Sequence, residues 1–209
     1  MTIILRGGRA AATAWTALAL VAALAIASHW LRNVRIPPPE RSAARVFRVT
    51  SAADSGGGSL REGLLDADRA DGRARVVIDV RTIALESPLP PLLNPAGVVV
   101  EARSGTILDA RRLAAGPVLD IAARDSVIVG LRVERAAGQA ILVRKSGARL
   151  RDLTIADSEV GVHQLEGASD LTIEGTTFER NSIGVHVAAC RLLYPGCSVL
   201  LGKAYGHNK

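Results

Sequence analysis

Two histidines occupy the same position in two similar segments of the chain. His163 lies in VGVHQ and His186 in IGVHV, 23 residues further on. If these segments form adjacent strands, the two imidazoles lie about 5 Å apart on one outer face. Such a pair is able to share a metal ion or to handle protons, although nothing fixes a third ligand beyond the neighbours Glu159 and Glu166. The alternatives are solvated repeat positions or part of a ligand-binding surface.

Charged side chains of alternating sign recur at a similar interval. Arg135, Asp157 and Arg180 are separated by 22 and 23 residues, and Arg132 belongs to the same repeat. On consecutive strands the first three would form a ladder of exposed ion pairs, each worth about 0.5 kcal/mol. The alternative is a substrate groove in which Arg132, Asp157 and Arg180 contact an extended ligand, as would the two histidines.

The sequence contains two cysteines, Cys190 and Cys197. In an oxidising compartment they are candidates for a disulfide around the turn at Pro195 and Gly196. Their spacing is not that of a redox motif, and two cysteines exclude a disulfide-rich scaffold and a multi-cysteine zinc module.

A fold with a repeat of about 22 residues must position these side chains. From Val46 onward, short runs of alternating apolar residues recur, with glycine, aspartate, serine and asparagine as turn formers between them. Three apolar sets keep the interval: Ile128, Leu150 and Ile173; Val133, Ile155 and Phe178; Ile141, Val162 and Val185. Three strands and three turns per repeat predict an all-β, parallel β-helix with one aliphatic interior. A β-sandwich is the alternative, but it needs no fixed repeat length.

One segment has helical periodicity instead. Residues 59–70 begin with a capping box, in which Ser59 and Glu62 satisfy amides of the first turn. The apolar residues of one face are Leu60, Leu64 and Ala67, with Leu65 beside them. We expect a helix that covers the open first coil, because an exposed strand edge invites pairing with another chain.

The first 32 residues are typical of a targeting segment. Residues 10–31 are uncharged, follow two arginines, and as a helix would cross the ~30 Å hydrocarbon core of a bilayer. They predict a signal anchor or, with cleavage after Ala27, a signal peptide. Residues 33–45 contain three consecutive prolines and predict an extended linker, so that residues 46–209 form the β-helix domain.

The net charge of +6 arises before this domain. Residues 1–45 hold six arginines and one acid, whereas the rest of the chain holds 20 basic and 19 acidic residues. Both tryptophans, Trp15 and Trp30, also lie in the first part. The domain therefore lacks the excess positive charge and the tryptophan stacking surface that would favour a nucleic-acid partner.

After Val187 the repeat fades. We expect regular coils to about residue 187, followed either by truncation of a longer β-helix or by residues 192–209 folding over the last coil.

Residues 49–62 (VTSAADSGGGSLRE), 75–80 (RVVIDV) and 82–85 (TIAL), with the later Gly-Val and Gly-Ile repeats, resemble right-handed parallel β-helix proteins of the pectate-lyase-like superfamily. The resemblance covers residues 46–187. It implies an exported protein of the periplasm or cell surface, with an extended polysaccharide along the coil face. The superfamily includes lyases, hydrolases, epimerases and non-catalytic surface proteins, so the resemblance does not fix a reaction.

A lyase of that superfamily uses an arginine base and a calcium ion held by clustered carboxylates. Calcium is implied here by resemblance alone, since the residues contain no evident cofactor motif. The Trp-Ile-Asp-His segment of many such lyases is replaced by LRDL at residues 150–153, so we assign no catalytic residue. Three functions are expected, in decreasing order: a carbohydrate-binding or carbohydrate-processing module, a non-catalytic envelope scaffold or adhesion module, and a calcium-dependent lyase.

Overall fold

The apolar sets identified by the repeat stack directly on one another. In the computed structural model, which describes residues 44–114, 116–188, 199–201 and 205–207, Leu150 pairs with Ile128 on one side and Ile173 on the other. The other two sets pair in the same way. The domain is a right-handed parallel β-solenoid of about five turns, as the sequence predicted.

The described residues form one helix and 15 strands. Helix α1 is Leu60–Asp68. The strands are β1 (Arg45–Val49), β2 (Ala74–Ile78), β3 (Thr82–Ala84), β4 (Val98–Asp109), β5 (Leu119–Ile121), β6 (Val127–Glu134), β7 (Gln139–Val143), β8 (Arg149–Arg151), β9 (Thr154–Ala156), β10 (Val160–Gln164), β11 (Leu171–Glu174), β12 (Thr177–Glu179), β13 (Ile183–Val187), β14 (Val199–Leu201) and β15 (Tyr205–His207).

The strands build three outer faces. Face 1 consists of β1, β2, the first parts of β4 and β6, then β8, β11 and β14. Face 2 consists of β3, the last parts of β4 and β6, then β9, β12 and β15. These two faces share one 11-stranded sheet because β4 and β6 run through both. Face 3 is the separate four-stranded sheet of β5, β7, β10 and β13.

The core is a set of aliphatic columns parallel to the stacking axis. Behind face 1, Val76, Val100, Ile128, Leu150 and Ile173 follow one another from strand to strand, and each is fully buried. Successive strand residues point to opposite sides, so their sequence neighbours lie on the outer face. Burial of each such side chain stabilises the fold by about 1.5–3 kcal/mol.

Residues with positive φ mark the corners of the coils. Arg135, Asp157 and Arg180, between faces 2 and 3, have φ values of 61, 52 and 53°. Between faces 1 and 2, Gly130 has φ 76°, and a Cβ there would lie 2.5 Å from the carbonyl oxygen of Ala102. Glycine is therefore required at residue 130, whereas the other corner holds ordinary side chains in a conformation that they seldom adopt.

Helix α1 contacts β1 and β2 and covers the first coil. Ser59 accepts a hydrogen bond from the Glu62 amide (3.3 Å), whereas the Glu62 carboxylate accepts one from the amide of Gly58 (2.6 Å) and not from that of Ser59. The capping box is thus shifted by one residue on its glutamate side. The buried face consists of Leu60, Gly63, Leu64 and Ala67, and Leu65 is 38% exposed.

The helix ends at Asp68, two residues before the predicted end. The buried Asn94 side chain donates to the carbonyl groups of Ala67 (2.7 Å), Ala70 (3.1 Å) and Gly72 (3.0 Å). It thereby binds one carbonyl group in the last turn of the helix and two in the segment that follows it, where the chain has no further helical partners. Asn94 is 26 residues away from Asp68, so local sequence patterns could not reveal this cap.

A partly buried polar cluster explains the motif at residues 49–62. Arg61 Nη2 donates to both carboxylate oxygens of Asp54 (3.0 Å each), and Ser87 Oγ donates to the same carboxylate (2.9 Å). Burial raises the pKa of Asp54, but hydrogen bonds from the Glu86 amide, Ser87 and Arg61 lower this pKa by more. The cluster ties the loop before α1 to the segment after β3.

The stack continues past residue 187. Leu171 pairs with Val199 and Thr177 with Tyr205, so β14 and β15 add to faces 1 and 2. The interval in both pairs is 28 residues, which is why the repeat of about 22 residues did not detect these strands.

The targeting segment predicted for residues 1–32, nearly all of the linker at residues 33–45, and Cys190 and Cys197 lie outside the described residues. Among the helices of the described part, none is both long and apolar enough to cross a membrane.

Candidate functional site

Face 2 and its corner with face 3 hold a network of ion pairs. Its members are Asp109, Arg111, Arg132, Glu134, Arg135, Asp157, Glu179 and Arg180. The structure thus brings together all four charged residues that the repeat singled out, Arg132, Arg135, Asp157 and Arg180. The side chains of Asp109 and Glu134 are only 9% and 10% exposed, so the network reaches into the protein.

The predicted ladder forms in part. Arg180 donates two hydrogen bonds to Asp157, at 2.6 and 2.7 Å, and these lower the pKa of the Asp157 carboxyl group. Arg135 does not form the expected ion pair with Asp157. Its guanidinium group instead contacts Asp109 (3.0 Å), on the preceding coil, and Glu134. The reason is burial, because these two carboxylates have little solvent to compensate their charge.

Arg132 connects coils that are not neighbours. Its guanidinium group lies 3.0 Å from Glu134 and 3.4 Å from Glu179. These two acids are on β6 and β12, and Ala156 of the intervening strand β9 pairs with both of them. Each of its two carboxylate partners also contacts Arg135 or Arg180. Such mutual neutralisation favours a stabilising role for the network over catalysis.

His163 and His186 lie side by side on face 3, paired in register between β10 and β13. Their ring centroids are 4.6 Å apart and the rings are inclined by 35°. His163 is half-buried and His186 is exposed. Burial lowers the pKa of His163, and the neighbouring His186 lowers it further. In the part of the chain that the structure describes, no group of three or more His, Cys, Asp or Glu side chains is placed to bind one metal ion together.

Replacing His186 with glutamine should raise the pKa of His163, because a like charge is removed while burial remains. A pH titration of the His163 ring signals by NMR measures this change. The folded-state pKa lies below the unfolded value of about 6.5, so the stability contributed by neutral His163 is lost as the pH falls through that lowered pKa. An unchanged His163 titration in His186→Gln would contradict the interaction.

Face 1 presents two outward columns that sequence reasoning did not select. The first is Val46, Arg75, Val99, Val127, Arg149 and Thr172. The second is Arg48, Val77, Glu101, Val129, Arg151 and Glu174. We call these twelve residues the face 1 strip. Its signal was present in the sequence, since Val127, Arg149 and Thr172 follow the same intervals of 22 and 23 residues as the core.

The charges of the face 1 strip are only partly compensated. Arg48 pairs with Asp79 at 3.1 Å, Arg75 contacts Glu101, and Arg151 lies 3.8 Å from Glu174. Arg149 is exposed and makes no ion pair with any residue of the described ranges. Half-buried valines lie between these arginines, so the surface combines apolar patches with guanidinium groups.

A cleft of about 560 Å³ opens at the corner between faces 1 and 2. It is lined by Asp79, Val80, Arg81, Thr82, Gly105, Thr106 and Ile107. Its floor is fixed by hydrogen bonds from the Ile107 amide to the Arg81 carbonyl (2.8 Å) and from Thr106 Oγ1 to the Val80 carbonyl (3.1 Å). The Arg48–Asp79 pair connects the cleft to the face 1 strip, and the volume is in the range of small-ligand sites.

The chain matches no protein-family model and no curated protein. The fold and the surfaces described above therefore define it as a parallel β-solenoid with an ion-paired face 2, a histidine pair on face 3 and an arginine-valine strip on face 1.

Proposed function

We propose that this protein is an exported or membrane-anchored β-solenoid of the pectate-lyase-like kind, which binds an extended acidic polysaccharide along face 1. The observation that carries the proposal is the face 1 strip, in which guanidinium groups recur along the stacking axis beside apolar surface. Carboxylate-bearing sugars present complementary groups, because arginine binds carboxylates through two parallel hydrogen bonds.

The spacing of the arginines favours a polymer over a single sugar. Arg75 and Arg149 stand in one column with Val99 and Val127 between them. Three strand intervals separate them by about 14 Å at the usual spacing of ~4.8 Å. A ligand that contacts both must therefore be extended along the solenoid axis.

The cleft supplies a second contact at the edge of this surface. Arg81 is exposed there and forms no ion pair within the described chain, and Thr82 adds an exposed hydroxyl group. A sugar unit bound in the cleft would lie next to Arg48 and the face 1 strip. We therefore assign the cleft to the same ligand.

Export or membrane anchoring rests on the sequence of residues 10–31. Their length and lack of charge support a membrane-inserted segment, either retained or cleaved. The resemblance at residues 49–85 supports the same compartment, the periplasm or cell surface, where extended polysaccharides are found.

Arg149→Gln and Arg81→Gln should each weaken binding to a uronate polymer, and the double variant should bind at least about tenfold more weakly. Neither arginine has an ion-pair partner among the residues the structure describes, so neither replacement leaves a carboxylate unpaired. Calorimetric titration of the full chain with polygalacturonate or alginate, at two salt concentrations, gives the dissociation constants. We expect weaker binding at the higher salt concentration because ions screen exposed charges.

Arg69→Gln is the matched control, because Arg69 immediately follows α1, its side chain is 73% exposed, and it pairs only loosely with Asp66, at 3.5 Å. It should leave binding unchanged. The proposal would be contradicted if the wild type and the double variant bound the uronate polymer with equal affinity. It would also be contradicted if the wild type bound a neutral glucan as tightly as it binds the uronate polymer.

The second candidate is a non-catalytic scaffold or adhesion module. The network on face 2 favours it, since a surface whose charges neutralise one another suits a structural face. Absence of binding to any glycan, together with capture of a defined protein partner, would support this alternative. Absorbance of an unsaturated product, with and without added calcium, tests the third candidate, a calcium-dependent lyase.

A further inference from the structure

The histidine pair on face 3 has a geometry that the proposed polysaccharide surface does not use. His163 and His186 occupy equivalent positions on adjacent parallel strands, with ring centroids 4.6 Å apart. Neither ring makes a hydrogen bond or an ion pair with residues in the described ranges. Their nitrogen atoms are thus available to an external ligand.

The separation suits two ligands of one metal ion. A bond between a metal ion and an imidazole nitrogen is about 2.0–2.1 Å long, so two nitrogens bound to one ion are at most ~4.2 Å apart. The inclination of 35° brings one edge of the two rings closer than their centroids. For both rings to bind one ion, a side-chain rotation would have to direct one nitrogen of each ring towards a common point outside the sheet.

The surroundings restrict which ions fit. The same outward column contains Leu142 and, beyond it, Asp120. Asp120 accepts hydrogen bonds from Arg144 at 2.7 and 3.0 Å, so its carboxylate is already engaged. Calcium and magnesium require several oxygen ligands, whereas copper, nickel and zinc bind imidazole well.

We propose that His163 and His186 form a two-imidazole site for a divalent transition-metal ion, with Cu²⁺ bound most strongly and water completing its coordination. The order follows from the general affinity series of divalent ions for nitrogen ligands. The two histidines belong to strands paired by backbone hydrogen bonds, so both ligands are held in register before the ion binds. It is independent of the polysaccharide surface on face 1.

The test is a titration of the full chain with Cu²⁺, followed by electron paramagnetic resonance of the bound ion. We expect a component with two equatorial imidazole nitrogens in the wild type. His163→Gln and His186→Gln should each lose that component, and the double variant should bind Cu²⁺ at this site at least about tenfold more weakly. His207→Gln, which removes the histidine of β15, is the matched control and should retain the two-nitrogen component.

Thermal unfolding gives a second readout that does not depend on the spectrum. An ion that binds only the native state raises the melting temperature, so Cu²⁺ should stabilise the wild type and the control but not the double variant. Circular dichroism without metal verifies that each variant is folded. The proposal is overturned if the double variant keeps the two-nitrogen signal, or if the wild type lacks it.

Discussion

Leu150→Ala should lower the free energy of unfolding by about 2–5 kcal/mol, a large share of the 5–15 kcal/mol typical of a folded domain. Leu150 is fully buried and touches Ile128 below and Ile173 above in the same column. The truncation leaves a cavity between two coils that are held in register by their backbone hydrogen bonds. These hydrogen bonds fix the distance between the strands, so the coils cannot approach one another to fill the cavity.

Chemical denaturation followed by circular dichroism measures this loss. Arg151→Ala is the matched control, since Arg151 is the next residue, lies on the outer face and forms only a 3.8 Å pair with Glu174. It should cost less than about 1 kcal/mol. Similar losses for Leu150→Ala and Arg151→Ala would show that the column is not the main source of stability.

The second expected result concerns the ion-pair network. Arg135→Gln should destabilise the protein by about 1–2 kcal/mol and move its acid unfolding to higher pH. Arg135 contacts two carboxylates whose side chains are about 9% and 10% exposed, Asp109 and Glu134. The estimate lies between values for surface and buried pairs, because the arginine itself is 38% exposed.

The direction of the pH effect follows from Asp109. Burial raises the pKa of this carboxyl group, but hydrogen bonds from Arg135 and Arg111 outweigh burial, so the pKa in the folded state lies below its ordinary value. Such a group stabilises the fold above its unfolded pKa of about 3.9, and this stability is lost as the pH falls through the folded pKa. Removal of Arg135 raises the folded pKa, so the contribution becomes smaller.

Arg180→Gln provides a control with a matched backbone conformation, because φ is 53° at Arg180 and 61° at Arg135. Its partner Asp157 is more exposed than Asp109, so the loss should be smaller than for Arg135→Gln. Melting temperatures between pH 3 and pH 7, a range that spans the ordinary pKa of carboxyl groups, compare the two variants. If the melting temperature of Arg135→Gln decreases over the same acidic pH range as that of the wild type, the proposed role of Asp109 is contradicted.

The core of this fold could be predicted because residues that are one repeat apart in the sequence lie on top of one another in the solenoid. Ile128, Leu150 and Ile173 are 22 and 23 residues apart, and the interval of 23 residues between Val162 and Val185 likewise predicted that the adjacent His163 and His186 pair. The ladder was predicted from the same interval and was correct for Asp157 and Arg180. The ladder was wrong for Arg135, which pairs with the buried Asp109 and not with the more exposed Asp157. The repeat interval gives no information on which of these acids is buried.

Other features lie outside any regular interval. Asn94 ends α1 through contacts with residues 22 to 27 positions earlier in the chain, and the cleft depends on the register shift in β4 between Glu101 and Thr106. The strands β14 and β15 join the stack at 28 residues, beyond the spacing of 22 and 23 residues between β6, β8 and β11. The face 1 strip was detectable in principle, but its valines were indistinguishable from core residues until the sheet face was known.

The coil-to-coil register has a consequence for how the chain folds. Each coil pairs with the next through residues 22 to 29 positions apart, and because closure entropy grows only slowly with loop length, every added coil costs a similar entropy. Folding can then begin at any pair of adjacent coils and spread in both directions by similar steps. A barrier set by one coil pair, and not by the whole length of the solenoid, should govern the folding rate.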